Sequence, residues 1–139
     1  MAEAVRKIDY YYVSVSDKPG EASRILCSLQ EAGVNLLGFS GFPEGARKAQ
    51  LDFLPEDPAA FAKAARKAGL KLSKKKTGFL IQGEDCPGAV AGLMAKLAGA
   101  GINVTSIQAA AAGAGLYCGI LWVKAADVRK AAKVLGAAG

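Results

Sequence analysis

The stretch Asp17-Lys18-Pro19-Gly20 is followed by Gly33-Val34-Asn35, and both motifs return later in the chain as Asp85-Cys86-Pro87-Gly88 and Gly101-Ile102-Asn103. Aligning residues 17–35 with 85–103, an offset of 85 − 17 = 68, needs no gap and gives seven identities in nineteen positions. Unrelated segments would share roughly one or two, so the similarity indicates two repeats of one structural unit. We place the repeats at residues 1–76 and 77–139.

Hydrophobic periodicity predicts the same order of elements in both repeats. In the first repeat the pattern predicts βαββαβ, with strands at 10–16, 34–40, 47–54 and 70–76 and helices at 20–32 and 58–67. In the second it predicts βαββα, with strands at 79–83, 102–109 and 116–124 and helices at 87–100 and 125–135. We therefore expect an α+β protein made of two ferredoxin-like units in tandem, the second without its last strand. Another strand should cover the edge that this leaves.

The composition excludes most catalytic and metal chemistry. The chain has no histidine, which removes the most frequent general base and the histidine-ligated zinc sites. Its three cysteines form no CxxC pair. In the second repeat the only acids are Glu84, Asp85 and Asp127, and their spacing does not suit paired acid/base work. We expect a protein with no catalytic residue, no metal and no cofactor.

The formal net charge is +6, and the basic residues concentrate between Arg66 and Lys76. Such a cluster could bind nucleic acid. No aromatic residue interleaves with the lysines, however, so the pattern favours a solvated helix face followed by an edge strand that lysines protect from pairing. No apolar run approaches the ~18–20 residues that would span a bilayer. We expect a cytoplasmic protein with neither a membrane nor nucleic acid as its partner.

The combination of Asp-x-Pro-Gly, an amphipathic helix and Gly-[Val/Ile]-Asn, present twice in a ferredoxin-like order, resembles the ACT domain, the regulatory module of amino-acid metabolism. The resemblance covers nearly the whole chain. It implies units that pair side by side into continuous sheets, with effectors at the interface between units. Those effectors are usually amino acids, held near the first loop and the start of the second strand.

The resemblance also implies which residues bind the effector. They lie in the strand-to-helix loop and at the start of the following strand of each repeat: Asp17, Lys18, Pro19, Gly20, Asn35, Leu36, Asp85, Cys86, Pro87, Gly88, Ala89, Asn103 and Val104. The aspartates could cap the helices, and the free N–H groups of the first helical turn suit an α-carboxylate. The asparagines offer both a donor and an acceptor. The same motifs also serve as ordinary turns, so the loops could instead only shape the fold.

From these observations we expect a non-catalytic regulatory protein that binds an amino acid or a related small metabolite. We expect it to form a homodimer and to act in trans on a partner enzyme or regulator. The alternative is a ligand-free assembly subunit that pairs through its sheet edges.

Overall fold

The computed structural model describes residues 3–139. Their contacts divide them into two compact units. The first unit is Asp9–Lys76, and the second is Thr77–Gly139 together with residues 3–8. The predicted repeats are 1–76 and 77–139, and the first of them includes Met1 and Ala2, which lie outside the described residues. Those limits stay a prediction about the duplicated sequence, and the compact units differ from them in where residues 3–8 are placed.

The first unit is built on three antiparallel strands in the order β2-β3-β1. Its elements are β1 (Ala4–Ser16, of which residues 9–16 belong here), α1 (Glu21–Glu31), β2 (Leu36–Pro43), β3 (Lys48–Pro55) and α2 (Pro58–Lys67). Alternate residues of the strands pack against the two helices. The buried residues of this core are Tyr11, Val13, Ile25, Leu29, Leu51, Phe53, Phe61, Ala62 and Ala65.

The prediction of a regular fourth strand at residues 70–76 is wrong. Residues 70–75 form no regular strand, and the next strand begins at Lys76. Ser73 is bound to β1 through its backbone N–H, which donates to Tyr12 O at 2.9 Å, but its side-chain Oγ accepts the Tyr12 N–H in place of a backbone carbonyl. This substitution interrupts the ladder. Leu70 and Leu72 still pack against the core, as the sequence predicts.

The second unit has the order β1-β4-β6-β5. Its elements are β4 (Lys76–Glu84), α3 (Ala89–Gly99), β5 (Val104–Gly113), β6 (Leu116–Val123), a 3-10 turn (Ala125–Asp127) and α4 (Val128–Leu135). The predicted α+β class and the βαββα order are confirmed. The buried core of this unit is Val5, Phe79, Ile81, Leu93, Leu97, Ile102, Tyr117, Leu121, Val123, Ala131 and Leu135.

The edge left by the missing strand of the second unit is covered by the beginning of β1. Residues 4–8 lie next to β4 in the strand order, and Val5 is buried in the core of the second unit. The C-terminus holds this segment in place: Ala138 N donates to Val5 O and Lys7 N donates to Ala138 O, both at 2.9 Å. The strand that was expected to cover the edge therefore comes from the other end of the chain.

The helices differ in how they begin. Asp57 caps α2, because its Oδ1 accepts the backbone N–H of Ala60 at 3.1 Å, and Pro58 occupies the first helical position. α1, α3 and α4 begin without a side-chain cap. None of the described helices is long and apolar enough to cross a membrane.

Candidate functional site

The two strand-to-helix loops follow the same backbone path. Gly20 precedes α1 at φ 90° and Gly88 precedes α3 at φ 84°, a left-handed conformation in which a side chain would be strained. In both loops the first helical amide bonds back to a loop carbonyl: Glu21 N to Lys18 O at 3.4 Å and Ala89 N to Cys86 O at 3.2 Å. The Pro-Gly pair therefore sets the entry to each helix.

The expectation that the aspartates cap these helices is wrong. The residue at the cap position is Gly20 or Gly88, and neither α1 nor α3 receives a side-chain cap hydrogen bond. In each loop the left-handed glycine, and not the aspartate that precedes it in the motif, is the residue next to the first helical residue. The carboxylates of Asp17 and Asp85 are exposed instead, and so are available to a ligand.

A depression of about 370 Å³ lies in the second unit, between the loop before α3 and the sheet edge formed by β5. Its lining residues come from the loop, the first turn of α3, the end of β5 and the start of β6: Asp85, Cys86, Gly88, Ala89, Val90, Ala91, Ala109, Ala110, Ala111 and Tyr117. Most of these side chains are small and apolar. The depression is large enough for an amino acid.

The start of α3 gives the depression hydrogen-bond donors. The first helical bond of α3 runs from Gly92 N to Gly88 O at 3.0 Å. The N–H groups of Val90 and Ala91, both lining residues, precede that bond and have no partner within the helix. The positive end of the helix dipole adds to their attraction for an anion. Asp85 is the one ionisable carboxylate among the lining residues, so the depression offers donors for an anion and a carboxylate for a cation.

Tyr117 forms a wall of the depression and is itself buried. Its hydroxyl donates to the carboxylate of Glu3. Burial is the main cause that raises the pKa of Tyr117, and the hydrogen bond and negative charge of Glu3 raise it further. The hydroxyl therefore keeps its proton at neutral pH and acts as a donor to Glu3.

Of the residues predicted in the second repeat, the structure brings Asp85, Cys86, Gly88 and Ala89 together at the depression. Asn103 and Val104 do not line it: Asn103 is exposed and Val104 packs against the core. Pro87 is also outside the lining. Ala109 to Ala111 lie in an Ala/Gly-rich run that the sequence makes visible, whereas nothing in the sequence marks Tyr117. A ligand role for all of these residues stays a prediction.

In the first unit the predicted residues are placed differently. Asn35 donates from Nδ2 to Glu56 Oε2 at 3.4 Å, and Leu36 packs against the core. Asp17, Lys18, Pro19 and Gly20 are exposed.

The repeat offset also puts larger side chains at positions of the first unit that correspond to the depression: Phe42 at the place of Ala110, and Glu21 at the place of Ala89. Arg24 binds Glu21 at 2.6 Å, and this hydrogen bond is the main cause that lowers the Glu21 pKa. The two loops are therefore not equivalent.

Among residues 3–139, no group of three or more histidine, cysteine or carboxylate side chains is arranged to hold a metal ion. All three cysteines are exposed and unpaired with one another.

No protein-family model matches the sequence. No curated protein matches it either. The chain is similar in structure to a Bacteroides thetaiotaomicron protein, with a TM-score of 0.82 at 17% identity, over 95% of this chain and 88% of that one. It is also similar to the regulatory subunit of aspartate kinase from Thermus thermophilus in its ligand-free form, with a TM-score of 0.68 at 17% identity, over 98% and 95% of the two chains.

A third similar structure is a C-terminal regulatory domain assigned to aspartate kinase of Porphyromonas gingivalis, with a TM-score of 0.54 at 17% identity, over 97% and 94% of the two chains. At these identities the similarity establishes the fold. The prediction of ACT-like ferredoxin units is confirmed at that level, because the chain shares its fold with regulatory subunits of aspartate kinase over nearly its whole length.

Proposed function

We propose that this chain is a non-catalytic regulatory protein whose second unit binds an amino acid or a related small metabolite. The observation that carries the proposal is the depression beside α3, where unpaired helix-start donors and the Asp85 carboxylate line one small apolar space. An α-amino acid presents the complementary charges, one anionic and one cationic, on a single carbon.

Each charged group of an α-amino acid has a counterpart at the depression. The α-carboxylate accepts from the N–H groups of Val90 and Ala91, as anions do at helix starts. The α-ammonium group pairs with Asp85. The side chain then lies along the alanines of β5 and the ring of Tyr117, so that burial of apolar surface supplies the rest of the affinity.

The fold supports a regulatory role. One chain that shares this fold is described as the regulatory subunit of aspartate kinase. We infer that this chain likewise acts in trans, on a partner enzyme or regulator. A homodimer, and an effector site completed by a neighbouring unit, stay predictions that the resemblance to ACT domains implies.

A thermal-shift screen of the twenty amino acids tests the proposal. A ligand present at 100 times its dissociation constant stabilises the folded state by about 2.7 kcal/mol. The blocking variant is Ala110→Phe, which places in the depression the side chain that Phe42 provides at the corresponding position of the first unit. Ala112→Phe is the matched control, since Ala112 lies on the same strand outside the lining.

We expect at least one amino acid to stabilise the parent protein and the Ala112→Phe variant but not Ala110→Phe. Asp85→Asn should weaken the response, whereas Asp17→Asn should not. No stabilisation by any amino acid would refute the binding of an amino acid by this protein. An equal response of the Ala110→Phe variant would place the ligand elsewhere.

The second candidate is a ligand-free assembly subunit that pairs through sheet edges. It is favoured by β2, which lies at an edge of the first unit and carries the three exposed large hydrophobic residues of the described chain, Leu37, Phe39 and Phe42. This candidate predicts that Leu37→Lys and Phe39→Lys lower the oligomeric state in sedimentation experiments and that no amino acid stabilises the protein. An unchanged oligomeric state would exclude pairing through β2.

A further inference from the structure

The aromatic wall of the depression depends on a residue from the opposite end of the chain. Tyr117, 4% exposed, lines the depression, and its hydroxyl donates to Glu3. The two residues are 114 positions apart. A buried hydroxyl without a partner costs free energy, so the hydrogen bond to Glu3 favours this orientation of Tyr117.

Two features fix Glu3 in place. The segment that follows it is held by Val5 in the core and by the two hydrogen bonds of 2.9 Å with Ala138. Gly83 of β4 lies beneath both partners. A Cβ added there would come within 2.9 Å of Tyr117 Cε1 and 3.0 Å of Glu3 Cγ. The absence of a side chain at Gly83 therefore allows Glu3 and Tyr117 to meet.

The hydrogen bond to Glu3 determines which atoms of Tyr117 are available to contact a ligand. Because its hydroxyl is turned to Glu3, the ring contributes its carbon atoms to the wall while the polar end is satisfied elsewhere. Without Glu3, the hydroxyl must find a new acceptor. Asp85, another lining residue, offers an exposed carboxylate as an acceptor. Such a rearrangement would occupy the group that is proposed to receive the ligand's ammonium.

We propose that Glu3 is a positioning residue of the effector site: it holds Tyr117 away from Asp85 and so keeps the depression open to the ligand. The inference rests on the proposed function for its effect on affinity, but the orientation of Tyr117 can be tested without any effector. It also makes the N-terminal segment, and not only the loop before α3, part of the binding site.

The experiment uses the thiol of Cys86, which is exposed and lines the depression, as a reporter. In a Cys27→Ser/Cys118→Ser background, the rate of alkylation of Cys86 by iodoacetamide is measured across pH, alone and with each of the twenty amino acids. The variants are Glu3→Ala, Glu3→Gln, Tyr117→Phe and the double variant Glu3→Ala/Tyr117→Phe. Glu3→Gln removes the charge but keeps an oxygen that accepts from the Tyr117 hydroxyl.

For the amino acid that protects Cys86 in the parent, we expect the half-protecting concentration to rise about 10-fold in Glu3→Ala, the size of effect that one lost hydrogen bond to a charged group produces. Glu3→Gln should restore protection to nearly the parent value. Removing the hydroxyl as well, in the double variant, should also restore it in part, because the phenylalanine ring has no group that can turn to Asp85.

Three results would overturn the inference: a Glu3→Ala variant with unchanged protection, a Glu3→Gln variant as impaired as Glu3→Ala, or a double variant no better than Glu3→Ala. If no amino acid protects the parent, the proposed amino-acid site is refuted, and the alkylation rate itself still tests the role of Glu3. A rate and pH profile that change in Glu3→Ala but not in Glu3→Gln support positioning, and identical profiles in all variants refute it. Melting temperatures recorded in parallel identify a variant that has merely lost stability.

Discussion

The backbone N–H of Asp17 donates to the carbonyl oxygen of Arg47 at 2.9 Å, and Arg47 holds a left-handed backbone with φ 61°. At the repeat offset, Asp85 N donates to Gly115 O at 2.9 Å, and Gly115 has φ 75°. The same bond ties the helix-entry loop to the following hairpin in both units. Only the second unit has the residue type that adopts this conformation without strain.

Replacing Arg47 with glycine should therefore stabilise the protein. A non-glycine residue in the left-handed region costs roughly 1–2 kcal/mol, so Arg47→Gly should gain about 1 kcal/mol once the larger unfolded-state entropy of glycine is subtracted. Urea unfolding measures this gain. Arg47→Ala is the control, because it removes the side chain but keeps the strain. A gain in Arg47→Ala equal to that in Arg47→Gly would show that the backbone is not its source.

A methyl group at Gly83 should destabilise the second unit. The added Cβ would meet Tyr117 and Glu3 at 2.9 and 3.0 Å, and crowding of this kind costs about 1–3 kcal/mol. Gly92→Ala is the matched control: Gly92 lies in α3 and its Cβ would have no neighbour within 4 Å. There alanine should gain about 0.5–1 kcal/mol through its helix propensity. Chemical denaturation of the two variants should give opposite signs, and a shared sign would contradict the packing described around Gly83.

Asp57 and Asp127 precede α2 and α4 respectively, but only Asp57 makes a cap hydrogen bond. Asp57→Ala should cost about 1 kcal/mol of unfolding free energy, because Ala60 N loses its acceptor. Asp127→Ala should stay within about 0.5 kcal/mol of the parent, as an ordinary surface change does. Equal losses in the two variants would mean that the Asp57 cap is not formed in solution.

Asp52 of β3 should make stability depend on pH in an unusual direction. It is 5% exposed, and burial is the main cause that raises its pKa above 3.8, against the opposing effects of Gln50 and Lys76. The folded state therefore binds the proton more tightly than the unfolded state does. This contribution to the free energy of unfolding is fully present below pH 3.8, and it is lost as pH rises through the folded pKa.

The variant Asp52→Asn, which cannot ionise, should be at least as stable as the parent at pH 7. Its advantage should shrink as pH falls towards 3.8, where the parent carboxyl becomes neutral too. Guanidinium unfolding at several pH values measures the difference. If Asp52→Asn were less stable than the parent at pH values above 3.8, the result would show that the charge of Asp52 stabilises the fold.

The elements that the sequence predicted well are those in which local patterns and burial agree. Leu29 and Leu97 lie on the apolar faces of α1 and α3 as the helical spacing indicates, and both are buried. Gly33 and Gly101, expected to end those helices, have φ 74° and 72°. The loop glycines Gly20 and Gly88 also have positive φ values, which glycine adopts without strain.

What the sequence could not predict depends on distant parts of the chain. Nothing near Ala4 indicates that β1 begins there and covers the edge of β4, because that pairing joins segments that are far apart in the sequence. In the irregular segment at 70–75, the side chain of Ser73 accepts the Tyr12 N–H in place of a backbone carbonyl, which no local pattern indicates. The contact between Glu3 and Tyr117 arises from the same long-range pairing. The sequence therefore does not indicate the wall of the depression, although it does indicate the loop residues Asp85 to Ala89.

The measurement that tests the central proposal most directly is residue-resolved alkylation of the parent protein. Cys86 lines the depression and Cys27 lies on α1, and both are exposed. Iodoacetamide labelling of the two thiols is followed by mass spectrometry with and without each amino acid. At ten times its dissociation constant, an effector bound beside α3 should slow the labelling of Cys86 about tenfold and leave Cys27 unchanged. Labelling of Cys86 that no amino acid slows, or that is slowed no more than that of Cys27, would contradict an effector site in this depression.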